Sequence, residues 1–94
     1  MITYIISHQV QDYATWQAGF LADEPRRTAA GVKSHIIGEV DGHPGMAIAI
    51  LSCENGDFME KTMQDPNLME AMKAAGVLAP PSVQVLANAN SGTY

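Results

Sequence analysis

Three histidines, a single cysteine and a run of aromatic residues carry most of the reactive chemistry available to this chain of 94 residues. His8 follows Tyr4 and Ile6 at alternate positions. An imidazole at the end of such a run, beside a cavity, can move protons or orient a phenolic substrate. His8 is therefore the candidate catalytic residue. The competing reading is a hydrogen-bonded histidine packed at a strand end, which needs no ligand to explain it. His35 is a second, ligand-binding candidate, although its strand face also carries Lys33 and Glu39. His43 sits among turn residues and is expected in solvent. Two imidazoles on separate strands, with no third ligand at usable spacing, make a poor metal site, so no metal is expected. Cys53 closes an apolar run with nothing basic beside it, which leaves its thiol inert.

Tyr13, Trp16 and Phe20 recur at three- and four-residue spacing, the stripe of a helix. With Tyr4, the Trp16 and Phe20 rings could bind and position a flat aromatic ligand. They could equally be ordinary core, and one helix face can serve both purposes. Met59, Met63, Met69 and Met72 could shape an adaptable pocket wall, with Met63 the ligand-binding candidate, or simply fill a helix core. Arg26 and Arg27 could clamp a carboxylate; pairing with Asp23 or Glu24, or plain solvation, competes with that role.

These side chains need a small scaffold. Ninety-four residues make one domain, read as residues 1–87 followed by a polar tail, 88–94. Hydrophobic residues make up 47% and charged ones only 16%, so some apolar surface should meet a partner, most simply a second copy. Five Lys plus Arg against ten Asp plus Glu disfavours nucleic acid, whose binding relies on clustered cations. A lone cysteine fits a reducing cytoplasm, and no apolar run approaches the ~20 residues of a membrane span.

Ile2 to Val10 alternates as a central strand with bulk on both faces. Asp12 can cap the helix that follows, because its carboxylate accepts from the free N–H groups of the first turn. Pro25 should break that helix near Asp23-Glu24 and start a short second segment ending at Gly31. Val32 to Val40 reads as a strand nearer an edge, with Val32, Ser34, Ile36, Gly38 and Val40 opposite Lys33, His35, Ile37 and Glu39. The 41–45 segment is a turn, and Met46 to Cys53 is a strand buried on both faces. A further helix is predicted, capped by Asn55 or Asp57, interrupted at Asp65-Pro66 and ended by Gly76, then a last strand from Val83 to Ala87. The order is α+β and ferredoxin-like, βαββαβ, with a four-stranded antiparallel sheet and both helices on one face. The other face would be bare, and a second sheet could cover it.

The pieces His8-x-Val10-x-Asp12-Tyr13-x-x-Trp16-x-x-x-Phe20, Arg27-x-x-x-Gly31, Glu70-Ala71-Met72-Lys73-x-Ala75-Gly76-Val77 and Pro80-Pro81 carry a resemblance. Over residues 1 to about 87 the chain resembles small bacterial proteins of the dimeric α+β barrel superfamily, which includes antibiotic biosynthesis monooxygenase-like domains. The resemblance implies a homodimer joined through its sheet faces, with a pocket between sheet and helices in each subunit. It also implies activity of the kind found there, cofactor-independent monooxygenation or isomerisation of an aromatic or polyketide-like molecule, without fixing a reaction. A non-catalytic small-molecule-binding or assembly module is the alternative. The chain departs from its relatives at the hairpin, where they often carry Arg before an Asp-Asp-Pro-Asn turn and this one has Glu39-Val40-Asp41-Gly42-His43-Pro44-Gly45. No role tied to that Arg carries over.

Overall fold

β1 (Ile2–Gln9) is hydrogen-bonded on both edges, antiparallel to β3 (Met46–Cys53) and to β4 (Ser82–Leu86). β2 (Val32–Glu39) pairs antiparallel with the far side of β3, which gives the sheet order β2-β3-β1-β4. The structure is a computed structural model that describes residues 2–54, 70 and 81–94. The predicted helix that ends at Gly76 lies almost wholly outside the described residues. Between β1 and β2 the chain makes two helices, α1 (Tyr13–Ala22) and α2 (Glu24–Ala29). The fold is α+β, with the four-stranded antiparallel sheet of a ferredoxin-like protein.

Alternation decides which face of this sheet is covered. Tyr4, Ile6 and His8 point to one side of β1, where they sit opposite Leu51, Ala49 and Ala47 of β3, all buried. With Trp16 of α1, the apolar members of this set form the buried core. Ala47 and Ala49 are nearly solvent-free. Their small side chains leave depth at the centre of the sheet for the imidazole and indole rings above them.

The expectation that β3 is buried on both faces is corrected. Ala47, Ala49, Leu51 and Cys53 are buried, whereas Met46, Ile48, Ile50 and Ser52 are only half-buried, because one chain covers one face of its sheet. The phase of β2 is corrected as well. A register shift between Val32 and Ser34 puts Val32 opposite Cys53 and His35 opposite Leu51, so Val32 joins the face of His35 and Ile37. One extra residue in a strand resets the two-residue alternation beyond it, which no propensity in the sequence announces. Lys33, the residue at the irregularity, reaches Glu54 at 2.6 Å.

The turn between β2 and β3 is built as its residue types demand. Gly42 and Gly45 have φ of +79° and +85°, in the left-handed region. The Gly45 carbonyl accepts from Val10 N–H at 2.7 Å and its own N–H donates to Glu39 Oε2 at 2.9 Å. His43 is exposed, as expected. Past β4, residues 87–94 are exposed and outside the sheet.

Candidate functional site

The site is set by the corner between β1 and α1. Asp12 is extended, with φ -148° and ψ 120°, and its Oδ2 accepts from Thr15 N–H at 2.9 Å and Thr15 Oγ1 at 2.6 Å. Those bonds hold the Asp12 carboxyl below the usual carboxylate range. They also start α1 at Tyr13, so Trp16 falls on its first full turn and turns inward. The Asp12 carbonyl accepts the Trp16 N–H at 3.1 Å. The corner therefore aims the indole at the strand it has just left.

The result is a chain of rings. His8 lies 5.5 Å from Trp16 between centroids, Trp16 lies 5.3 Å from Phe20, and Phe20 meets His35 edge-on at 5.3 Å. Tyr13 packs beside Trp16 at 5.6 Å. Tilted and edge-on pairs at such distances are favoured by the ring quadrupoles. Of the residues selected from sequence, His8, Trp16, Phe20 and His35 are thus brought into one row. Tyr4 is buried four residues before His8 on the same face, opposite Leu51 and Val85. Met63 lies outside the described residues. Leu21, one residue past Phe20, is 48% exposed and does not join.

His8 is only 9% exposed, and its Nδ1 is buried without a hydrogen-bond partner among the described residues. Burial pushes its pKa down, because the charged imidazolium loses more solvation than the neutral ring. The imidazole is therefore neutral at pH 7 and can accept a proton. Burial pushes the Cys53 thiol up, which keeps it protonated and a weak nucleophile. Among the described residues no group of three or more His, Cys, Asp or Glu could hold a metal ion.

The arginines divide, and one expectation is corrected. Arg26 grips Asp23 with two nitrogens, its Nε lying 3.0 and 2.9 Å from the two carboxylate oxygens. Arg27 is buried and pairs with no acid among the described residues: it is 6% exposed, its Cζ lies 3.6 Å over the Phe20 ring, and its Nη1 donates to the Phe20 carbonyl. The break at Asp23, which caps α1 and precedes Pro25 of α2, folds Arg27 back over the end of α1. Pro25 stands at the second position of α2 instead of the first, a shift of one residue. No spacing in the sequence announced this position, since Phe20 belongs to α1 and Arg27 to α2, across the break at Asp23.

Solved structures with this architecture are numerous. A protein assigned as an antibiotic biosynthesis monooxygenase from Bordetella bronchiseptica superposes with a TM-score of 0.79 at 22% identity, over 95% of this chain and 97% of that one. A cofactor-independent oxygenase from Streptomyces nogalater gives 0.74 at 12% identity, over 96% and 94%. A further protein assigned as an antibiotic biosynthesis monooxygenase, from Caulobacter crescentus, gives 0.73 at 15%, over 95% and 90%. The chain shares their ferredoxin-like fold. No family model matches the sequence, and no curated protein matches it. At these identities the likeness concerns the fold, in agreement with the resemblance carried by the corner from His8 to Phe20. Among the described residues no helix is long and apolar enough to cross a membrane.

Proposed function

We propose that this chain is a cofactor-independent oxygenase acting on a phenolic or polyketide-like aromatic, working as a homodimer in the cytoplasm. The observation that carries the reading is the buried, neutral His8 with an unpartnered Nδ1 against Trp16. A buried base that has no partner of its own is free to take a proton from a ligand. The pocket lies between sheet and helix, with Trp16 and Phe20 stacking the ligand and Tyr4, His35 and Met63 completing its wall. His8 removes a proton from an activated ring methylene, the carbanion adds O2, and the peroxide anion takes that proton back from His8; loss of the second C–H proton then breaks the O–O bond, releasing water and leaving a carbonyl, so the substrate supplies all four electrons that reduce O2. Isomerisation would begin with the same proton removal. The structural neighbours with oxygenase names support the first outcome.

Dimerisation rests on the open face of the sheet. Ile36, Ile50 and Ile5 lie side by side across β2, β3 and β1 there, and Ile36 is 68% exposed. Covering such a face with its own copy removes apolar surface from water.

O2 uptake with a panel of anthrones and dihydroxynaphthalenes tests the reading. The native protein is expected to accelerate uptake for at least one compound, and His8→Gln to lose roughly 100-fold or more. Uptake unchanged in a folded His8→Gln variant would remove His8 as the base.

A further inference from the structure

The row of rings ends on a second buried polar atom. His8 Nδ1 stands at one end, and at the other stands Arg27 Nη2, also buried and without a hydrogen-bond partner among the described residues. Ring spacings of 5.5 and 5.3 Å carry the row from His8 through Trp16 to Phe20, and the Arg27 guanidinium lies on the Phe20 ring. We infer that Arg27 binds an anionic oxygen of the ligand, so that the preferred substrate is a flat aromatic bearing a carboxylate at the end remote from His8. This rests on the pocket proposed above and names the chemical class that would enter it.

The arrangement divides the work of the guanidinium. Its Nη1 satisfies the Phe20 carbonyl, one of the last carbonyls of α1, which have no partner inside the helix. Its face is placed on the Phe20 ring, where a delocalised cation is attracted to the π-system. Both contacts are structural, and both fix the plane of the group. They leave Nη2 oriented and unused. Among the described residues the charge also lacks a close counterion: Asp23 is taken by Arg26, and Asp23 and Glu24 act on Arg27 only through space. A buried cation without a partner is costly, and a carboxylate arriving at Nη2 would relieve that cost through a charge-assisted hydrogen bond. A planar donor held in place by its other contacts loses little freedom on binding, which favours recognition of a planar acid.

The test compares 2-naphthoate with 2-naphthamide, which have the same shape and differ in charge, using the fluorescence of Trp16, the only tryptophan. The native protein is expected to bind the acid roughly tenfold to 100-fold more tightly than the amide, the range of a hydrogen bond to a charged group. In Arg27→Gln the acid-over-amide preference should vanish, and Arg26→Gln should keep it. If Arg27→Gln fails to fold, Arg27→Lys serves, with the preference reduced. Equal binding of acid and amide by the native protein overturns the inference and leaves the pocket standing, as does a preference that survives in folded Arg27→Gln or disappears in Arg26→Gln. Binding of neither compound overturns the inference and the pocket together.

Discussion

The Arg27 guanidinium closes the end of α1 by lying 3.6 Å over the Phe20 ring and donating to the Phe20 carbonyl seven residues earlier. It joins α1 to α2 across the break at Asp23, so it should matter to stability whether or not a ligand is present. Arg27→Met keeps bulk and removes the donor, leaving a carbonyl short of its partner, and is expected to cost about 1–3 kcal/mol. Arg27→Ala adds a cavity and should cost more. Urea unfolding followed by circular dichroism gives both values, and native stability in Arg27→Ala would show that the contact holds nothing.

His8 predicts a pH dependence whose sign follows from burial. Its pKa is lowered in the folded state, so between that value and the unfolded value near 6.5 the unfolded chain binds more protons. Stability from this group is complete above about pH 6.5 and is lost as pH falls toward the folded pKa. His8→Phe removes the titration, and the slope of unfolding free energy against pH just below 6.5 should flatten. An identical slope in native and His8→Phe proteins would mean that His8 titrates alike in both states. Catalysis should share the sign: activity falls on the acid side as the imidazole becomes charged, because a protonated ring cannot act as base.

How far the sequence foretold this arrangement depends on the length scale of the signal. The corner from Ile6 to Phe20 was legible because its cues are local: alternation, then an acid at the N-cap, then three- and four-residue spacing. Each maps onto an observed feature, including the Asp12 cap. The row from His8 to His35 was legible only in its members, since the approach of Phe20 to His35 depends on β2 lying two strands away from β1. Arg27 was misjudged because exposure is the ordinary fate of an arginine beside two acids, and only the fold of α2 over α1 reverses it. The phase of Val32 was missed because a shift in register leaves the residue types unchanged.

Two glycines of the β2–β3 turn should respond differently to the same substitution. Gly42 has open space where a Cβ would go, so Gly42→Ala carries only the cost of its positive φ, about 1–2 kcal/mol. At Gly45 a Cβ would come within 2.8 Å of the Val10 carbonyl oxygen and 3.0 Å of Gln9 Nε2. The first of these is backbone, held where β1 meets the turn, and cannot swing aside. Gly45→Ala should therefore destabilise by more than Gly42→Ala, and since Val10 leads into the Asp12 corner, it should also shift Trp16 fluorescence. Equal melting temperatures for the two variants would show that the corner yields freely.

The open sheet face gives the prediction on which the assembly depends. Ile50 lies between Ile36 and Ile5 at its centre, and all three are half-buried or exposed in the single chain. Ile50→Asp on a monomer places a charge at a half-buried position on the open face, where the carboxylate keeps part of its water and the cost is about 1 kcal/mol. Inside a dimer the same carboxylate would be buried without a partner, a cost of several kcal/mol that separation of the subunits relieves. Light scattering on a sizing column should therefore show a native dimer and a folded Ile50→Asp monomer, with Lys33→Ala, remote from that centre, still dimeric. The proposed pocket would lie on the covered face, so ligand binding by the monomer tests whether each subunit carries a complete site. A native protein that stays monomeric at micromolar concentration would remove the sheet-to-sheet assembly and leave the exposed isoleucines needing another partner.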